Sequence, residues 1–276
     1  MGARARHLLG GLVLVGLVAA CAGPSPEHAP GPPARDDAPL PHFPRGMVSI
    51  TFDDGWIGQV TLALPRLQKR GYKGTFYLVP GWFGTSLDGE AFVTADQAKQ
   101  LVASGQEIAA HSLDHKTLTQ IKEPELHRQI AEGRDALAAA LGLDPAAIVD
   151  FATPHGAYGP AVLDEARPLF RTHRTGGAYL NTPATDPYLL GGVLLEKSNR
   201  DYPGRRREDV AELVHEAARR KLWLILVFHG IVDGKPRRAT DEPVAEFDRV
   251  LDAIASSGLD VVTVREGAAK LGAPAR

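Results

Sequence analysis

Along the chain, apolar runs of strand length alternate with longer stretches in which apolar positions recur every three or four residues. Gly, Pro or Asp marks most of the changes between them. The short runs predict strands at Met47 to Phe52, Gly74 to Val79, Glu107 to Ala110, Ile148 to Ala152, Leu222 to Phe228 and Asp260 to Val264. The longer stretches predict helices at Gly58 to Lys69, Thr94 to Ala103, Pro124 to Leu141, Pro160 to Pro168, Arg207 to Lys221 and Glu242 to Ser257. Thr94 and Asp96 are N-cap candidates, and Gly142 stands just past a helix end. Such repetition over about 230 residues predicts a parallel α/β fold, open or closed. Leu222 to Phe228 has no polar alternation, so this strand is expected to be buried on both faces.

Several of these strands run directly into reactive side chains. Phe52 is followed by Asp53 and Asp54, Ala110 by His111, Ala152 by Thr153-Pro154-His155, and Phe228 by His229. In a parallel barrel every strand C-terminus opens on one face, so groups far apart in sequence converge there. The expected architecture is therefore a TIM-like (β/α) barrel.

The N-terminus reads differently. Arg4 and Arg6 precede an apolar stretch from Leu8 to Ala20, and Val18-Ala19-Ala20-Cys21 follows the layout of an export signal. Thirteen apolar residues fall short of the roughly 20 that span a bilayer. The small residues before Cys21 resemble a bacterial lipobox, in which cleavage leaves the cysteine as a lipidated membrane anchor; an ordinary secretory signal is the alternative. Ala22 to Arg45 holds eight prolines and no apolar periodicity, as in an extended tether. The division expected is a signal at residues 1–20, a lipid-anchored tether at 21–45 and one folded domain at 46–276.

Composition narrows the chemistry. The 276 residues are 44% apolar and 23% charged, which excludes wholesale disorder, collagen and coiled coil. A net charge of −2 gives no basic surface for nucleic acid. With one cysteine, any bound metal must rely on His and carboxylate ligands.

Thr51-Phe52-Asp53-Asp54-Gly55 places two carboxylates at a strand end, where one can bind a metal while the other faces substrate. The Asp-Gly pair equally reads as a turn. His111 and His115 are four apart, a spacing that on a helical turn suits two ligands of one cation, although ten histidines also make such pairs by chance. His229 closes the most apolar strand and is either a core histidine or a proton donor at the barrel mouth. Trp82 and Phe83, in the Gly/Pro-rich loop after the second strand, either offer a stacking surface or cap the barrel. His7, His28, His42, His127, His173 and His215 fall in the leader, the tether, surface helices or connections and are assigned no role.

Taken together, Thr51 to Gly55, His111 to His115, Phe151 to Tyr158 and Leu226 to His229 resemble, in order, the motifs of the polysaccharide deacetylases, the NodB-homology domain of carbohydrate esterase family four. Leu64-Pro65-Arg66-Leu67 and Gly74-Thr75-Phe76-Tyr77 are also similar. The resemblance implies a distorted barrel, usually of seven strands, and a divalent cation, commonly Zn2+, that serves to remove acetyl groups from amino-sugar polysaccharides. It implies that Asp54, His111 and His115 hold the metal, that Asp53 is the general base and His229 the general acid. By the same resemblance Pro154, His155, Gly156, Leu226 and Phe228 contact substrate. Ala152 stands where many members carry an arginine that pairs with the catalytic aspartate, and His155 stands where tyrosine is common. Asn199-Arg200-Asp201-Tyr202 is the one candidate for a motif supporting the catalytic histidine. An O-acetyl esterase uses the same residues, and a non-catalytic glycan-binding lipoprotein is the alternative of a different class.

Overall fold

The computed structural model describes residues 41–195 and 210–272. The expected leader, nearly all of the tether, Asn199 to Tyr202 and the start of the helix expected at Arg207 lie outside these residues. Eight parallel strands form one sheet: β1 Met47–Asp54, β2 Thr75–Leu78, β3 Glu107–Ala110, β4 Asp150–Ala152, β5 Thr172–Arg174, β6 Val193–Leu194, β7 Trp223–Phe228 and β8 Asp260–Val261. Their order is β5-β4-β3-β2-β1-β7-β6, with β8 joined to the first residues of β1. Beyond β5, the His173 N–H donates to the Pro187 carbonyl, the Leu190 N–H to His173 and the Thr175 N–H to Leu190, at 2.9, 3.1 and 2.9 Å. That segment leads into β6, so the path returns to β7 and makes the distorted (β/α) barrel that the resemblance implies.

Side chains alternate across each strand and divide the apolar residues into two layers. Val48, Ile50, Phe52, Phe76, Leu224, Leu226 and Phe228 pack outward against helices through Leu67, Leu101, Leu213 and Phe247. Met47, Tyr77, Ala109, Ala152, Trp223 and Ile225 fill the interior. Inside, the Trp223 indole N–H donates to Ser49 Oγ at 2.9 Å, which answers the polar atom of the largest buried side chain. Among the described residues no helix is long and apolar enough to cross a membrane.

The structure departs from the sequence expectations at several boundaries. β5 and β6 have three and two residues, and β5 reads Thr-His-Arg, so neither gives an apolar run. The strand expected to reach Val264 stops at Val261, because Thr263 caps a final helix, Val264–Ala268. Its Oγ1 accepts from the Glu266 N–H while Glu266 Oε2 accepts from the Thr263 N–H, at 3.3 and 2.9 Å. The helix expected from Gly58 opens as a wide π turn at Gln59–Ala63 before Leu64–Lys69. Gly58 is required there, since a Cβ would lie 1.8 Å from the Ile231 carbonyl oxygen.

At the N-terminal end of the barrel, Glu107 and Asp150 begin β3 and β4 and are buried together. Thr75 donates to Glu107 Oε2 at 2.8 Å and Thr172 to Asp150 Oδ1 at 2.5 Å, while Arg265 Nε lies 3.6 Å from Glu107 and 4.0 Å from Asp150. Burial and the Glu107 carboxyl raise the Asp150 pKa well above the ordinary value, against the weaker pull of Thr172 and Arg265. A carboxyl that holds its proton more tightly when folded loses stability as pH climbs from its unfolded value toward the raised one. Asp150→Asn, which cannot ionise, is therefore expected to lose less stability than wild type between about pH 5 and about pH 8. Urea unfolding midpoints at the two pH values test this, and parallel changes in both proteins would contradict it.

Candidate metal centre

At the opposite end of the barrel, β1 delivers Asp53 and Asp54. The backbone turns sharply at Asp54, with φ 77°, and at Gly55, with φ 86°. Left-handed conformations are costly outside glycine, and they collect here: Asp54, Ser112, His115 and His155 are four of the six non-glycine examples among the described residues. The Trp56 indole N–H donates to Asp54 Oδ2 at 3.0 Å, which fixes the carboxylate and leaves Oδ1 facing inward.

His111 and His115 do not share a helical turn as expected. They flank a loop after β3, in which Ser112 adopts φ 64° and its Oγ accepts from the His115 N–H at 3.0 Å. The Leu113 N–H donates to the Gln129 carbonyl and the Gly81 N–H to the Leu113 carbonyl, both at 2.9 Å. Gly81 and Gly133 pinch this loop from two sides. A Cβ on Gly81 would sit 2.6 Å from Leu113 O, and one on Gly133 would sit 2.8 Å from Leu113 N.

The hydrogen bond behind His111 sets its tautomer. Its Nδ1 lies 2.8 Å from the Ala152 carbonyl, which only accepts, so Nδ1 carries the proton and Nε2 presents a lone pair. That Nε2 is 3.6 Å from Asp54 Oδ1, and His115 Nε2 is 3.3 Å from the same oxygen. Ligand atoms of Asp54, His111 and His115 all lie within 4.8 Å of one another, and Asp54 Oδ1 is buried without a hydrogen-bond donor. Burial pushes the His111 pKa down to about 4, although the Asp53 carboxylate pulls it up, so the imidazole is neutral at ordinary pH. Burial raises the Asp54 pKa, but the close approach of His115 and the neighbouring imidazoles of His229 and His111 outweigh it and hold the carboxyl below its usual range. A carboxylate oxygen and two imidazole nitrogens aimed at one point suit a divalent cation.

Around these three stand the other expected residues. Asp53 Oδ2 is 3.9 Å from His111 Nε2, and His229 Nε2 is 4.0 Å from Asp54 Oδ2. Trp82 packs its ring 4.7 Å from that of His115 and also against Phe92, as a wall of the centre, whereas Phe83 packs on the outer core. Pro154, His155 and Gly156 form a tight turn after β4; Pro154 is buried, and the His155 ring stands 4.6 Å from that of His115. Gly156 has φ 63°, and a Cβ there would meet Gly176 at 2.7 Å.

Leu226 and Phe228 are not brought to the centre. Both lie on the outer face of β7, where the Phe228 ring is 5.7 Å from Phe52 and 5.0 Å from Phe247, so they do not line the cleft as expected. The interior position at that level is Val227, paired in register with Thr51 and close to Arg174. His173, assigned to a connection, is instead fully buried in β5. Its Nδ1 donates to the Tyr188 carbonyl at 2.9 Å and its Nε2 accepts from Thr153 at 3.1 Å, which anchors the turn carrying His155.

Two further residues escaped the sequence. Arg174 Nη2 donates to Asp53 Oδ2 at 2.5 Å, with the side chains 7% and 6% exposed. Gln59 Nε2 donates to the carbonyls of both Asp53, at 2.5 Å, and His229, at 3.0 Å, and so ties the ends of β1 and β7 together.

Residues 41–170 match the family model described as polysaccharide deacetylase. The Bacillus subtilis protein YxkH is 30% identical over 87 residues, 32% of this chain and 30% of that protein. The chain spans about a third or less of the length of the curated relatives it matches. Among solved structures, the chitin deacetylase of the fungal pathogen Colletotrichum lindemuthianum superposes with a TM-score of 0.58 at 19% identity, over 86% of this chain and 91% of the other. A family-four pseudoenzyme from Bacillus anthracis gives 0.52 at 16% identity, over 83% and 69%. At these identities the likeness is one of fold.

Because the Gly133 Cα faces the loop backbone rather than a flexible side chain, Gly133→Ala must displace the segment that holds both histidines. Its affinity for Zn2+ is expected to fall by about tenfold, roughly 1.4 kcal/mol, while the far-ultraviolet circular dichroism stays that of the wild type. Competition with a chromophoric chelator measures this, and an unchanged affinity would show that the loop yields without consequence.

Proposed function

We propose that this chain, which belongs to the polysaccharide deacetylase family, is a divalent-cation hydrolase that removes N-acetyl groups from an amino-sugar polysaccharide such as peptidoglycan, a chitin-like polymer or an exopolysaccharide. The observation that carries the reading is the shared focus of Asp54 Oδ1, His111 Nε2 and His115 Nε2 beside the Asp53 carboxylate and His229. Asp54, His111 and His115 would hold the ion, with Zn2+ the expected one for this donor set. A cation there supplies electrophilic pull on the acyl oxygen and lowers the pKa of water.

The chain's own residues then move the protons. Asp53 accepts a proton from the attacking water as the new C–O bond forms and the carbonyl π pair moves onto oxygen. In the turn after β4 the Gly156 and Ala157 N–H groups are engaged by Thr153 O and Pro154 O, so the donor proposed for the developing oxyanion is the His155 N–H. When the π pair returns, the C–N bonding pair leaves with nitrogen, which takes a proton from His229. Acetate and a free amine result.

An alanine at position 152, in place of the arginine that the resemblance leads one to expect, favours the non-catalytic alternative. Arg174 places a guanidinium on Asp53 and weakens that argument. An O-acetyl esterase draws on the same residues and is separated by substrate. We further propose, from Arg4, Arg6, the apolar stretch and Cys21, that the enzyme is exported and held at the bacterial cell envelope by lipid.

The purified chain is expected to release acetate from N-acetylglucosamine oligomers in preference to acetylated xylan, to lose this activity on thorough chelation and to regain it with Zn2+. Activity that survives chelation would remove the cation from the reaction. Asp53→Asn is expected to slow turnover by roughly a thousandfold with metal content unchanged. If that variant loses its ion instead, the roles of the two aspartates are reversed.

A further inference from the structure

The buried ion pair between Asp53 and Arg174 divides the two oxygens of one carboxylate. Oδ2 accepts from Arg174 Nη2, whereas Oδ1 is buried with no hydrogen-bond partner among the described residues. The guanidinium is itself held in one place. It lies over the Tyr77 ring at 4.8 Å, and Gly192 leaves room for its stem, since a Cβ there would come within 3.0 Å of Arg174 Cδ. Asp53 and Tyr77 are register partners on β1 and β2, and Arg174 reaches them across the barrel interior from β5. A side chain only 7% exposed within the barrel has no surface to offer a polymer.

We propose that Arg174 is the positioning residue of the proposed reaction: by gripping Asp53 Oδ2 it turns Oδ1 toward the attacking water as the proton-accepting atom. This rests on the hydrolase reading above for its kinetic consequence. A planar guanidinium fixes the rotation of the carboxylate, which a lone β-carbon cannot do, and misplacing a reacting group by about 1 Å costs on the order of 100-fold in rate. Arg174 and Ala152 are register partners on adjacent strands and share the interior face, so the same volume can be entered from either position.

Three kinetic comparisons and one stability comparison test the assignment in the full chain. Arg174→Met is expected to lower kcat by about 100-fold, to move KM by less than about threefold and to retain its cation. The exchange Ala152→Arg with Arg174→Ala is expected to recover at least about tenfold of that loss, whereas Ala152→Arg alone, with two guanidinium groups crowded into one space, is expected to fall below the wild-type kcat. Urea unfolding of wild type, Asp53→Asn, Arg174→Met and the double variant gives the coupling without any substrate. Arg174→Met should lower the midpoint more when Asp53 is intact than in the Asp53→Asn background, because it strands a buried carboxylate only in the first case. Wild-type kcat in Arg174→Met, a stable exchange variant without recovered turnover, or equal midpoint losses in the two backgrounds would each overturn the proposal. Should the wild type release no acetate from any glycan, the hydrolase reading fails; the unfolding comparison then decides whether the grip on Asp53 exists.

Discussion

Three electron-pair donors face one another at the mouth of this barrel, and no protein group among the described residues answers Asp54 Oδ1. The Ala152 carbonyl fixes the proton of His111 on the far nitrogen, Trp56 occupies the other Asp54 oxygen, and the remaining lone pairs converge. Such an arrangement is repulsive by itself and becomes favourable around a positive ion. Much of the local architecture serves to hold it. The left-handed turns at Asp54, Ser112 and His115, the two glycines pressed against the Leu113 backbone and the wide turn that presents Gln59 are costly features gathered within a few residues of the site.

The same logic of answered and unanswered charge runs down the interior. Below the mouth, Asp53 meets Arg174 over the Tyr77 ring; in the middle, Trp223 and Ser49 satisfy each other; at the base, Glu107 and Asp150 crowd together under Arg265. The upper pair is charge-compensated, while the lower pair is only partly compensated, so that burial and the Glu107 carboxyl raise the Asp150 pKa. Barrel interiors built from alternate residues allow such levels to be set independently, since the outward layer of Phe52, Phe76, Phe228 and Phe247 supplies continuous packing on the helix side.

How far the sequence foretold this depends on how each residue announces itself. Asp53, Asp54, His111, His155 and His229 follow apolar runs, so their positions at strand ends were legible, and a parallel barrel then requires them to meet. Leu226 and Phe228 were misplaced because a strand apolar on both faces carries no mark of which parity points inward; only pairing with β1 resolves it. Arg174 and His173 were invisible for the opposite reason. They sit in a three-residue strand with polar neighbours, where pairing with β4 and the Pro187-to-Leu190 segment, rather than local propensity, makes the strand. The spacing of His111 and His115 suggested the right pair by way of the wrong geometry, since a loop with Ser112 in a left-handed conformation brings them together as a helical turn would.

The register that sets Ala152 beside Arg174 has a wider bearing on how such barrels are compared. A guanidinium is needed at a point in space, and each strand bordering that point can furnish it without altering the chain's course. Alignment column by column records a vacancy at one strand and an unremarked cation at the next, and so scores as a defect what the three-dimensional ring treats as a change of address.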